Sequence, residues 1–270
     1  MEQIRHNFQK ERIQKKEAIS EEELIKDLIL DIKNRFEEIF QRYTLEDVRD
    51  ILESDLIIGE DASGRLPALF LHKLSKLFKE QGENKNNQRN PFLLFFAGFG
   101  NVYLVGNKSE KIKRNRKEKI KTTLINFITR HFMSKDISIT IITDSILFGN
   151  SIEPLIDSIV GALKGLKDKQ LINDIKINLI TLRYLDWARY SNFIEGVKNK
   201  LGISLKIYFV SSKSAPQIYG KHSIIGVKKG DYSNIYSNLF SKRNRRLMNI
   251  AREKISLLGE EFFETIKSKL

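Results

Sequence analysis

The chain has 270 residues, 41% of them hydrophobic, which suits one large α/β domain with appendages or two small domains. It has no cysteine, and this excludes disulfides, thiolate zinc sites and cysteine nucleophiles. No apolar run approaches the ~20 residues that span a bilayer, and the N-terminus is charged, so we expect no membrane helix, no signal peptide and a cytoplasmic location.

The net charge of +13 permits polyanions as partners, either nucleic acid or phosphorylated small molecules. Basic residues concentrate in segments 5–16, 108–121 and 242–246. Such runs are typical of solvated helix faces as well as of nucleic-acid-binding surfaces. The sequence leaves both interpretations open.

Two helices are predicted before the first strand. Ser20 and Glu23 have the spacing of a capping box, and apolar residues then recur at helical spacing. Thr44 and Asp47 make a second box for a shorter helix. We therefore predict an N-terminal helical extension over residues 1–54. It could cover a sheet edge, form a lid or mediate dimerisation.

An apolar strand at 56–58 runs into the segment Gly59-Glu60-Asp61-Ala62-Ser63-Gly64-Arg65, and Pro67 stands in the first turn of a following helix. A loop of small residues with an arginine before a helix N-terminus predicts an anion site. An ordinary Ser-Gly turn is the alternative. Glu60 and Asp61 could assist Mg²⁺ through water or simply solvate the loop.

The next segments alternate in character. Residues 91–99 are rich in aromatics and predict a buried strand, and residues 101–105 predict a short strand at an edge. Segment 108–121 holds eight Lys or Arg against two Glu, and it leads into an amphipathic helix.

Segment 138–152 contains the main candidate residues for ligand binding. Its β-branched apolar run predicts a strand buried in a parallel sheet, with Asp144 where the strand ends. A loop of small residues follows, and Ser151 can cap a helix whose first turn holds Glu153 and Pro154. Such a junction predicts a phosphate cradle with a hydroxyl-binding carboxylate beside it.

Further strands are predicted at 175–184 and 205–210, and a long helix at 241–269. The alternation of strands and helices predicts an α/β fold with a doubly wound, mostly parallel sheet and helices added at both ends. We divide the chain into the extension 1–54, an α/β core 55–212 and a C-terminal segment 213–270.

Two other groups of side chains are of types that can bind ligands. Trp187 and Tyr190 lie past a strand end and could stack on a base or be buried aromatics. His72 and His222 have no metal-ligand partner at useful spacing, so we expect structural or surface histidines.

The two loops together resemble those of the type I phosphoribosyltransferase family. Its signature is an apolar strand, two acidic residues, and then Thr-Gly with a small hydroxyl residue. Here the second acid is Asp144, the glycine is Gly149 and the hydroxyl is Ser151. The run Ile57–Arg65 is similar to the pyrophosphate loop of adenine phosphoribosyltransferases. The resemblance covers about residues 55–212.

The resemblance implies a Rossmann-like type I phosphoribosyltransferase fold that binds 5-phosphoribosyl 1-pyrophosphate with Mg²⁺. Such an enzyme transfers phosphoribose to a nitrogen of a nucleobase-like acceptor, and the sequence does not identify the acceptor. Segment 108–121 corresponds to a mobile loop that closes over the site.

The resemblance also assigns roles to residues. Asp144 and Arg65 become the candidate catalytic residues, and Thr143 and Asp144 would bind the ribose. The pyrophosphate would lie on Ser63, Gly64 and Arg65, with Arg65 neutralising its charge as it leaves. The 5′-phosphate would lie on the loop residues Leu147, Phe148, Gly149, Asn150 and Ser151.

Two positions depart from the family pattern. Thr143 replaces the first acid, and Phe148 replaces the threonine before the glycine. Losing a charged hydrogen bond costs about 1.5–3 kcal/mol, which weakens binding ~10–100-fold. The alternative is a catalytically altered member that acts as a regulator, a nucleic-acid- or protein-binding subunit or a defence-system component, alone or as a homodimer. A nucleotide-binding domain of another α/β family is a third interpretation.

Overall fold

A computed structural model of the chain describes residues 20–60, 64–81, 89–96, 109–143, 152–182, 195, 204–210 and 242–270. The elements in chain order are α1 (Glu21–Arg42), α2 (Leu45–Leu52), β1 (Leu56–Glu60), α3 (Arg65–Gln81), β2 (Phe92–Phe96), α4 (Ser109–Phe132), β3 (Ile137–Thr143), α5 (Glu153–Asp168), β4 (Ile175–Thr181), β5 (Ser204–Phe209), α6 (Lys242–Ile266) and a 3₁₀ turn (Lys267–Lys269). Among the described residues, no helix has the length and hydrophobicity of a membrane span.

The described strands form one sheet in the order β2-β1-β3-β4-β5, and every neighbouring pair is parallel. β1 is buried along its whole length, and so is β3 apart from one half-buried residue. Parallel strands are apolar throughout when helices cover both faces of the sheet. The predicted α/β class with a parallel sheet is confirmed, and the arrangement is compatible with double winding.

The helices divide between the two faces of the sheet. α4 and α5 pack with Leu56 and Ile58 of β1 in one hydrophobic cluster, and we name this side the α4/α5 face. Ile57, which lies between Leu56 and Ile58 in β1, points to the opposite side of the sheet. There it packs with α1, α2, α3 and α6, and we name this side the α3 face. Successive residues of a strand point to opposite faces, so each strand contributes to both layers.

β2 corrects one prediction. The aromatic-rich segment 91–99 predicts a buried strand, but four of the five β2 residues are half-buried and only Phe96 is fully buried. β2 lies at the edge of the described sheet, where a strand has a described neighbour on one side only.

The capping box at the start of α1 is confirmed. The Ser20 hydroxyl accepts a bond from the Glu23 amide at 3.2 Å, and the Glu23 carboxylate accepts one from the Ser20 amide at 2.9 Å. The second box is half formed. Thr44 caps α2 by accepting from the Asp47 amide, while the Asp47 carboxylate accepts from Lys206 of β5 at 3.0 Å. This ion pair therefore joins α2 to β5 of the sheet.

Aromatic stacking joins the two ends of the chain on the α3 face. The Phe70 ring of α3 lies 5.5 Å from the Phe36 ring of α1 and 6.1 Å from the Phe262 ring of α6. All three side chains are almost completely buried. The N-terminal and C-terminal helices thus share one core with the sheet.

His72 of α3 is a structural histidine, as expected. Its Nε2 donates to the carbonyl of Pro91, just before β2, at 2.9 Å. Burial lowers the pKa of His72, and the Lys76 charge lowers it further, while the bond to Pro91 opposes them. The folded protein therefore holds a neutral imidazole that the unfolded chain protonates more readily.

We expect stability to fall as the pH decreases from about 7 to 5, because the unfolded chain binds the additional proton below a pKa of ~6.5. His72 accounts for at most about 1.4 kcal/mol per pH unit. His72→Gln keeps a donor for Pro91 but does not titrate, so its loss of stability over this window should be smaller. Urea unfolding at pH 5, 6, 7 and 8 measures the difference, and parallel profiles of the two proteins would contradict it.

Candidate functional site

The candidate site is the carboxyl end of β1 and β3. The two strands are neighbours and run parallel. β1 leads to α3 on the α3 face, whereas β3 leads to α5 on the opposite face. Ligands of open α/β sheets bind in the crevice where neighbouring strands send the chain to opposite faces. Both anion loops predicted from sequence leave the sheet at this point.

Gly64 closes the junction between β1 and α3. Its amide donates to the carbonyl of Glu60 at 2.7 Å, and its own carbonyl accepts the Ala68 amide at 2.9 Å to start the helix. A Cβ atom on Gly64 would lie 2.3 Å from the Ile142 carbonyl oxygen of β3. The turn therefore packs directly against the backbone of the neighbouring strand, and only glycine fits.

Arg65 is the first residue of α3 rather than a loop residue, which corrects its predicted position. Its guanidinium carbon lies 4.7 Å from the centre of the Phe95 ring, a cation–π arrangement. The first turn of α3 holds no acidic residue. The positive end of the helix dipole and the Arg65 charge therefore add at this edge of the sheet.

Thr143 ends β3 and is completely buried. Its hydroxyl donates to the Glu60 carboxylate at 2.5 Å. Glu60 is the last residue of β1 and is only 4% exposed, so it belongs to the sheet and does not solvate a loop as one interpretation had it. Thr143 itself carries no carboxylate, but its hydroxyl is bonded to the carboxylate of Glu60.

The start of α5 differs from the prediction. Its N-cap is Ile152, not Ser151, and this residue makes no side-chain cap bond. Ile152 occupies the position because it is fully buried in the cluster of the α4/α5 face. Pro154 stands in the first turn as predicted. The first amides of α5 thus have no side-chain cap from the N-cap residue.

Many predicted site residues lie outside the described residues. They are Ser63, Asp144, Leu147, Phe148, Gly149, Asn150 and Ser151, together with Asp61, Trp187, Tyr190, His222 and the predicted strand 101–105. Of the candidate site residues, the described structure brings together Gly64, Arg65 and Thr143 at the ends of two adjacent strands.

Segment 108–121 is not a loop where it is described. From Ser109 onwards it forms the first half of α4. Arg116 is 4% exposed and Ile120 is fully buried, so one side of this segment packs into the protein. Lys117 also pairs with Asp157 of α5 at 3.2 Å. The resemblance to a mobile closing loop is wrong for residues 109–121.

Sequence reasoning missed two buried arginines. Arg35 of α1 is 5% exposed and donates to the carbonyl of Leu182, directly after β4 at the carboxyl edge. Arg116 follows Ile112 and precedes Ile120 at steps of four, along the stripe of α4 that packs on the sheet. The signal that could have revealed them is an arginine inside an apolar helical stripe. A search for amphipathic helices alone does not predict that such an arginine is buried.

No group of three or more His, Asp or Glu side chains that could hold a metal ion occurs among the described residues. Among the described residues, Glu60 is the one acidic side chain at the ends of β1 and β3. Its carboxylate oxygens are of the kind that Mg²⁺ accepts as ligands.

Comparisons of this chain with protein-family models, with curated proteins and with solved structures each found no match.

Proposed function

We propose that this chain is a divergent type I phosphoribosyltransferase. It binds 5-phosphoribosyl 1-pyrophosphate and transfers phosphoribose to a nitrogen of a nucleobase-like acceptor. The supporting observation is that the strands before both predicted anion loops, β1 and β3, are adjacent and parallel and continue on opposite faces. A sugar with phosphate groups at both ends requires two such loops at one crevice.

The described residues suit the binding of the leaving group. Gly64 holds the start of α3 against β3, and Arg65 adds a fixed guanidinium at the positive end of that helix. In the proposed reaction the acceptor nitrogen attacks the anomeric carbon and loses its proton, and the bond from this carbon to the pyrophosphate oxygen breaks. Arg65 then neutralises charge that develops on the pyrophosphate.

Mg²⁺ would enter with the donor. The ion prefers phosphate oxygens, water and one or two carboxylates, and its part is to balance the pyrophosphate charge. The described residues do not offer a larger set of ligands. The chain's own contribution is to bind, to orient the ribose and to exclude water.

The test is calorimetric titration with 5-phosphoribosyl 1-pyrophosphate and Mg²⁺. We expect wild type to bind, and Arg65→Ala and Asp144→Ala each to lose about 10–100-fold in affinity, since each removes a charged hydrogen-bonding group. Arg65→Lys should recover part of the loss, because it restores the charge without the planar fork.

Arg252→Ala is the matched control, since this arginine is exposed on α6 and bonds to Asn249 of the same helix. It removes the same charge and should leave the affinity unchanged. Absence of binding by wild type, or equal binding by wild type, Arg65→Ala and Asp144→Ala, would refute the proposal. Binding without release of pyrophosphate across a panel of nucleobases would point to a sensor of the donor instead.

A further inference from the structure

Three polar side chains form a row at the carboxyl edge on the α4/α5 face. Gly59 of β1 is paired with Ile142 of β3, so Glu60 and Thr143 are the next neighbours, and Thr143 is paired with Thr181 of β4. All three are the last residues of their strands and are at least 95% buried. We name Glu60, Thr143 and Thr181 the strand-end row.

The hydrogen bonds among the described residues leave one hydroxyl of the strand-end row without a partner. Thr143 donates to Glu60, but the Thr181 hydroxyl is 1% exposed and has no hydrogen-bond partner in the described part of the chain. A buried hydroxyl without a partner is costly, and native structures usually supply one from water or a ligand. The row thus combines a carboxylate, whose oxygens accept hydrogen bonds, with a hydroxyl that can donate or accept.

The position of the row suggests what it binds. It lies at the carboxyl ends of β1 and β3, the strands that precede the two predicted anion loops and continue into α3 and α5 on opposite faces. A carboxylate would repel a phosphate group, whereas it accepts strongly from neutral hydroxyls. Beside the strand ends that lead to the two predicted anion sites, such an acceptor suits the hydroxyl-bearing middle of a phosphorylated sugar.

We propose that Glu60 binds a ribose hydroxyl of the ligand, and that it supplies from β1 the carboxylate that Thr143 does not supply from β3. This inference rests on the proposed function. Thr143 holds the carboxylate in place through its hydroxyl, and Thr181 completes the polar surface beside it.

The pairing also explains why a threonine stands at position 143. An acid there would place a second carboxylate next to Glu60 in a layer where both would be buried, and two such groups cannot both stay ionised without cost. A short hydroxyl side chain avoids the repulsion and donates to the carboxylate that is present. Under this interpretation, Glu60 supplies the carboxylate and Thr143 supplies the hydroxyl that holds it.

The experiment uses ribose 5-phosphate and its 2-deoxy and 3-deoxy counterparts as probes. We expect wild type to bind ribose 5-phosphate at least about tenfold more tightly than one of the deoxy sugars, the ratio typical of a charge-assisted hydrogen bond. Glu60→Gln should bind ribose 5-phosphate more weakly and lose that preference, so that the ratio approaches one. The ratio compares ligands on the same protein, and a purely structural role of Glu60 would leave it unchanged.

Asp55→Asn is the control, because Asp55 lies beside the other end of β1 and accepts from the Ser138 amide at 2.9 Å. It removes one carboxylate charge and should keep the full preference. If Glu60→Gln does not fold, the exchange Glu60→Thr with Thr143→Glu retains one carboxylate and one hydroxyl, and it should restore the preference.

The inference is decided by the affinity ratio that is measured on folded Glu60→Gln or, if this variant does not fold, on the folded exchange variant. Retained preference in Glu60→Gln, or an exchange variant without preference, overturns the inference. If Glu60→Gln keeps the preference while Arg65→Ala still loses affinity for the pyrophosphate donor, only the role of Glu60 falls. If wild type binds neither ribose 5-phosphate nor the donor, the proposed function falls together with the inference.

Discussion

Gly64→Ala is expected to destabilise the protein by about 3 kcal/mol or more, at the upper end of the usual cost of overpacking. The added Cβ would meet the Ile142 carbonyl oxygen at 2.3 Å and the Glu60 carbonyl oxygen and amide nitrogen at 2.7 and 2.8 Å. All three atoms are backbone atoms of central strands. No side chain can rotate away to make room, so β1, β3 or the start of α3 must move.

Chemical unfolding of wild type and Gly64→Ala measures this change. Gly165→Ala is the control, because Gly165 lies inside α5 and a Cβ there meets nothing within 4 Å. Alanine has the higher helix propensity, so this variant should be more stable by up to about 1 kcal/mol. Equal stability of Gly64→Ala and wild type would mean that the turn is not packed against β3 as described.

Phe70→Ala is expected to lower the free energy of unfolding by about 3–5 kcal/mol, the usual cost of removing a buried aromatic ring. Phe70 is completely buried between the Phe36 ring of α1 and the Phe262 ring of α6. Its loss therefore weakens the attachment of both terminal helices at once. Domains of this size are commonly stable by only about 5–15 kcal/mol.

Leu257→Ala provides the comparison on α6, since this leucine is 56% exposed and its truncation should change stability little. A single cooperative transition in Phe70→Ala would agree with a shared core. Early melting of the terminal helices, with the sheet intact, would instead favour the predicted division at residues 54 and 213. Circular dichroism and near-ultraviolet absorbance of the unfolding protein distinguish the two results.

The strands and helices were readable from sequence because each carries a local pattern. The apolar β-branched run at 138–143 predicted β3, and Ser20 with Glu23 predicted the start of α1. Likewise, Pro67 marked the first turn of α3. These features depend on neighbouring residues, which the sequence displays directly.

The errors arose where distant residues decide the structure. Ile152, which makes no cap bond, is the N-cap residue of α5 in place of Ser151, because it is buried in the layer beneath that helix. β2 is half-buried because of its place in the strand order. The pairing of Glu60 with Thr143 could not be read locally either, since 83 residues separate the two. Only the parallel register of β1 and β3 brings them together.

The contact of α6 with α1 and α3 has a consequence for folding during synthesis. More than two hundred residues separate Phe36 from Phe262, and at about 5–20 residues per second the ribosome takes roughly 10–45 s to make them. Until α6 emerges, the apolar surface of α1 and α3 that it covers stays exposed. Exposed apolar surface favours aggregation, so we expect a shortfall of chaperone activity during this interval to reduce the yield of the protein more than its final stability.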